Sequence, residues 1–187
     1  MKYLTAFFVI ICLFTGSAQA AIADDVEQGA ERLLKLLGRL TEVCKTSVML
    51  PKRIYVANKL DEMHQQLWKL EYEKRYVLGE MARSDANWEN MHTAILEVKQ
   101  RLEKSSNTVE RFGAYIQQYD NVSGSLAGDL ADVLSGKRGA WVNEAEEAIA
   151  AKDSSRLPHL RESGKVAVGK LAKANKALAQ LVIDLRK

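Results

Sequence analysis

Residues Val56–Tyr119 read VANKLDEMHQQLWKLEYEKRYVLGEMARSDANWENMHTAILEVKQRLEKSSNTVERFGAYIQQY. One seam runs through them at steps of three and four. It passes Val56, Leu60, Met63, Leu67, Leu70, Lys74, Val77 and Met81, then Ser84, Trp88, Met91, Ile95, Val98, Leu102, Ser105, Val109, Phe112, Ile116 and Tyr119. Only Lys74, Ser84 and Ser105 are polar on this path. Sustained three-four spacing is the mark of long helices packed against partners in a left-handed sense. Two shapes fit the register. One is a hairpin bending at Arg83-Ser84-Asp85, with Ser84 or Asp85 capping the second helix. The other is one helix of about 65 residues, roughly 100 Å long. A rod of that length needs an equally long partner, which the rest of the chain does not supply, so the hairpin is expected.

The same spacing continues on both sides. Before it, Val26, Ala30, Leu33, Leu37, Leu40 and Cys44 share a face, and Asp24, Asp25 and Glu27 put negative charge at the favoured end of that helix dipole. Pro51 ends this helix and suits the first turn of the next. After it, Asn121–Ser125 (NVSGS) reads as a break. Leu126, Leu130, Val133 and Leu134 form a shorter stretch, 135–139 (SGKRG) a second interruption, and Trp141, Val142, Ala145, Ala148 and Ile149 one face of a further helix. The last seam is Leu157, Leu160, Gly164, Ala167, Leu171, Ala174, Leu178, Leu181 and Leu185, whose small residues allow a neighbour to come close. No alternating strand pattern or Asn-Gly or Asp-Gly hairpin occurs. The expected fold is all-α, an antiparallel helical bundle with coiled-coil-like long helices, forming a single domain over 21–187.

Residues 1–20 read as an address. Lys2 supplies a positive start, Tyr3–Phe14 is an apolar run broken only by Thr5, and Ala18-Gln19-Ala20 is a cleavage signature. A helix of that run reaches about 18 Å, short of the roughly 30 Å membrane core. A cleaved signal peptide and an exported protein, periplasmic or extracellular, are expected, with no transmembrane segment left behind. Ile11 before Cys12 is too bulky for a lipoprotein signal. The 187 residues less these 20 leave 167, which hold one cysteine, Cys44. On its apolar face Cys44 reads as a small buried hydrophobe, with an intermolecular disulfide as the alternative.

Hydrophobic residues make up 47% and charged residues 27% of the chain, the composition of a folded protein rather than a disordered one. A net charge of +3 does not call for a nucleic-acid partner. Asp61-x-x-His64 and Glu89-x-x-His92 have the spacing of metal-ligating pairs. Met63 and Met91 hold the seam, however, so each histidine falls on a flank, and no Glu or Asp occupies a seam position on any helix. There is no Cys-x-x-Cys-His, phosphate loop, nucleophile elbow or His-Glu-x-x-His. No cofactor and no enzymatic activity are expected. Asn121-Val122-Ser123 matches the glycosylation acceptor on an expected loop. Trp88 and Tyr119 are placed in the core, and Trp68, beside Leu67, is the best exposed contact.

Charge is distributed unevenly. Residues 121–155 carry −3 and residues 156–187 carry +6. The plain expectation is that the basic last helix packs beside the acidic segment before it. The functional alternative is a basic face, Lys165, Lys170, Lys173 and Lys176, on an anionic envelope surface such as lipid or lipopolysaccharide. The favoured function is non-enzymatic: helix-face contacts with a protein partner, or self-association, in an adaptor or neutralising role. A metal or small-molecule site at the histidine pairs is the remaining alternative.

Overall fold

The computed structural model describes residues 24–45, 52–83, 85, 87–136 and 140–187. Residues 1–20, on which the expected signal peptide and Cys12 fall, lie outside them, as do Pro51, Ser84 and Lys137–Gly139. The described residues are all-helical, with six helices and no strand. These are α1 (Asp25–Lys45), α2 (Arg53–Glu80), α3 (Trp88–Ile116), α4 (Asn121–Leu134), α5 (Ala140–Ala150) and α6 (Leu157–Arg186).

The long seam folds as a hairpin. Val56 through Met81 on α2 and Met91 through Ile116 on α3 are buried at every described seam position, whereas Trp88 and Tyr119 are only half-buried at its ends. The bend takes the expected place, but its cap does not. Asn87 accepts a hydrogen bond from the Asn90 amide at 3.0 Å and starts α3, while Asp85 turns outward to Arg83. An Asn three residues before a free amide serves the first turn as well as Ser or Asp.

The stretch read as a break at 121–125 is the first turn of α4. Asp120 caps it, accepting from the Ser123 amide at 3.0 Å and the Ser123 hydroxyl at 2.6 Å. Arg39 of α1 holds the same carboxylate with two bonds of 2.8 and 3.0 Å. That guanidinium and the Ser123 donors keep Asp120 well below the usual carboxylate range. Ser123 is fully buried, so the glycosylation triplet sits on a packed helix start rather than a loop.

The helices close into a bundle that differs at its two ends. Around the end away from the bend, α1 lies between α6 and α4, α4 against α3, α3 against α2, and α2 against α6. Toward the bend, α5 packs on α3 and α6 instead. Thus α1 and α5 share one column, their N-terminal ends meeting where Asp24, Lys74 of α2 and Trp141 come together. The basic last helix is therefore not chiefly a neighbour of the acidic 121–155 segment. Only its start follows that expectation, through Arg156 on Glu144 at 3.0 Å; farther along, Lys170 reaches Glu27 and Glu31 of α1 at 2.6 and 2.7 Å. Gly164 shows why small residues line α6: a Cβ there would stand 2.6 Å from Leu78 and 3.1 Å from Trp141.

Candidate interaction surface

Trp68 lies on the outer face of α2, 54% exposed, and its ring stacks on Tyr72 with centroids 6.2 Å apart. Tyr76 follows one turn later. Side chains four apart on a helix stand over one another, so Trp68, Tyr72 and Tyr76 form one aromatic column, with Tyr72 63% and Tyr76 47% exposed. Beside it runs a cleft of about 320 Å³ between α2 and α3, lined by Tyr72, Glu73, Tyr76, Asn90, Thr93, Ala94 and Glu97. Glu73 is fixed there by the Arg101 guanidinium at 2.8 and 3.0 Å, and Arg101 also donates to Gln66. The sequence singles out Trp68 alone. The four-residue step to Tyr72 and Tyr76 was the signal that extends it.

Two of the four lysines on the basic face of α6 are neutralised within the molecule. Lys165 pairs with Glu162 at 2.8 Å and Lys170 with the two α1 carboxylates, which raise its pKa. Lys173 and Lys176 are exposed and have no ion pair among the described residues. The histidine pairs are not brought into one site: Asp61 is held by Arg186 at 2.9 Å, and Glu89 and His92 are exposed. No group of three or more His, Cys, Asp or Glu among the described residues is arranged to hold a metal. Cys44 is half-buried, not buried, and lines a cleft with Leu181, Leu185 and Arg53; burial pushes its thiol up.

The charged side chains Lys74, Asp24 and Asp25 are buried. Lys74 has no exposed surface. Its ammonium donates to both oxygens of Asp24 at 2.7 and 2.6 Å and stands 3.8 Å above the Trp141 ring. Asp24 also accepts from the Val26 amide at 2.9 Å, so one carboxylate both caps α1 and neutralises Lys74. Asp25, equally buried, has no hydrogen-bond partner for either oxygen among the described residues. Carboxylates are therefore buried just before the α1 seam, where the sequence shows only charge matched to the helix dipole. Burial, then the neighbouring Asp24 charge, push Asp25 up to about 6, with Lys74 pulling the other way.

A pH dependence follows from Asp25. A carboxyl whose folded pKa is raised binds its proton more tightly in the native state, so stability rises as pH falls through about 6 toward the unfolded value. Urea titrations at pH 7.5 and pH 5 should show a gain of about 1 kcal/mol at the lower pH. Below that, paired carboxylates such as Asp120 and Asp184, held down in the fold, begin to lose their contribution. Asp25→Asn should abolish the gain between pH 7.5 and 5; an unchanged slope in that variant would assign it elsewhere.

No helix among the described residues is long and apolar enough to cross a membrane. No protein-family model, curated protein or solved structure matches the chain.

Proposed function

We propose that the protein is exported and works without catalysis, through contact of a helix face with another protein or with a second copy of itself. The contact face is the aromatic column of α2. What supports this is the exposure of Trp68, Tyr72 and Tyr76 in three successive turns of one helix, rings that a bundle ordinarily turns inward. Large, stiff, amphipathic rings lose little conformational freedom on binding and supply most of the energy of many protein contacts. Export rests on the charge, apolar run and cleavage signature of residues 1–20. The long seams of α2, α3 and α6 support a coiled-coil-like style of packing within one domain. An anionic surface as partner is less favoured, because acidic neighbours already take up Lys165 and Lys170.

Light scattering coupled to size exclusion, with capture from an envelope extract, tests the proposal on the chain lacking residues 1–20. A dimer or a specifically retained partner is expected. Trp68→Ala with Tyr72→Ala should weaken that association about tenfold or more, as loss of central aromatic anchors does. Both side chains face outward, so thermal stability should change little. A strict monomer that retains nothing would count against the contact face.

A further inference from the structure

The aromatic face has a sign as well as a shape. Tyr72 and Tyr76 enter the cleft from α2; Asn90, Thr93 and Glu97 enter it from α3. Of its two carboxylates, Glu73 is neutralised by Arg101. Glu97 is exposed and has neither an ion pair nor a hydrogen bond among the described residues. Two cations of this region lie away from the bend: Lys69 is one turn before Glu73 on α2, and Arg101 one turn beyond Glu97 on α3. Toward the bend the balance is acidic. Glu89 is exposed without an ion pair among the described residues, and Arg83 is shared between Glu80 and Asp85. Glu80 follows Tyr76 by one turn and is buried, with one carboxylate oxygen lacking any partner among the described residues.

Ring faces and an uncompensated carboxylate select the same ligand. An aromatic face carries the negative end of its quadrupole and attracts a cation within about 6 Å of its centre. An anion is repelled by Glu97 and by the rings alike. A neutral apolar side chain gains from the rings but takes water from Glu97 without replacing it. A guanidinium or primary ammonium on a long aliphatic stem satisfies both, with its stem along the rings and its head on the carboxylate. A cleft of about 320 Å³ accommodates a side chain, not a packed element.

We infer that this cleft, between Tyr72 and Tyr76 of α2 and Asn90, Thr93 and Glu97 of α3, receives an arginine or lysine side chain presented by a basic segment of the partner. The inference rests on α2 being the contact face. Trp68, stacked on Tyr72 at the edge of the cleft, then takes an apolar residue that flanks the basic one.

The probe is N-acetyl-arginine amide, with N-acetyl-norvaline amide as the uncharged control, followed by backbone amide shifts of the isotope-labelled chain. Saturable shifts at Tyr76, Thr93 and Glu97 are expected with a Kd on the order of millimolar for the arginine amide. The norvaline amide should give at most weak, unsaturated shifts there. Glu97→Gln and Tyr76→Ala should each weaken arginine binding by about two- to fivefold, the size of one exposed cation contact. Raising salt should weaken it further. Equal binding of the two amides, shifts confined to other helices, or no saturable shift would each overturn the inference. These outcomes separate from failure of the contact face. Aromatic-dependent association with no preference for arginine leaves the face and removes the cation. Arginine binding at the cleft of a protein that stays monomeric and captures nothing leaves the cation site and removes the face.

Discussion

Asp24→Asn is expected to cost about 3–5 kcal/mol of folding stability, the price of leaving a buried charge without its partner. Asparagine keeps a side-chain oxygen for the Val26 amide, so the cap of α1 survives and the loss reports on Lys74. That ammonium has no exposed surface and, among the described residues, donates its hydrogen bonds to Asp24. Burial already lowers its pKa, and Asp24 is the main influence holding it up. Without Asp24, Lys74 should shed its proton to remain inside. A lysine whose folded pKa lies below its unfolded value destabilises at low pH and less as pH rises toward the unfolded value near 10.4. The deficit of Asp24→Asn should therefore shrink between pH 7 and 10. Adding Lys74→Met should restore much of the stability at pH 7, since an apolar chain of similar length fits a dry site without a counter-ion. Urea unfolding of the four members of the cycle measures all of this. A single-variant loss under about 1 kcal/mol would show that the pair is not dry in solution.

Trp141→Ala should be comparably severe, about 3–5 kcal/mol. Trp141 is the largest fully buried side chain among the described residues. Its indole donates to the Leu160 carbonyl at 2.9 Å and to the Ser163 hydroxyl at 3.1 Å, while its ring covers Lys74 and abuts Gly164. Truncation opens a cavity where α2, α5 and α6 meet and uncovers a buried ammonium. Trp141→Phe keeps a ring under Lys74 and loses the N–H, so it should cost markedly less than alanine. If the two substitutions destabilised equally, the hydrogen bonds rather than the ring would carry the site. Set against the 5–15 kcal/mol typical of whole domains, either alanine or the Asp24 change takes a large share.

The seams of α2, α3 and α6 were legible because burial on a helix repeats every three or four residues, and little else competes for those positions. Local polar composition misled at 121–125. Asn, Ser and Gly there resemble a loop, yet Asp120 caps the turn and Gly124 lets α4 approach α3 so closely that a Cβ would stand 2.6 Å from Gln117. Lys74 was visible as a polar residue on an apolar path, but its partner is 50 residues away at the start of another helix. No spacing rule connects the two. Asp24 and Asp25 looked like dipole-matched surface charges for the same reason: nothing local tells a solvated first turn from one roofed by two other helices. At the contact face, Trp68 was found by its place beside the seam. Tyr72 and Tyr76 needed only the same rule applied twice more.

The pairing of α1 with α6 also fixes a sequence of events. Glu27 and Lys170, which bridge them, are 143 residues apart. During synthesis the α2–α3 hairpin has both its halves available early and closes a short loop. Among the described helices α1 emerges before the others, yet it has no finished seat until α6 follows it. Contacts so distant along the chain carry the largest closure entropy and form late. The chain thus stays open through most of its own making, with the Leu33, Leu36, Leu37 and Leu40 face of α1 waiting. The bundle closes when α6 takes its place against both α1 and α2.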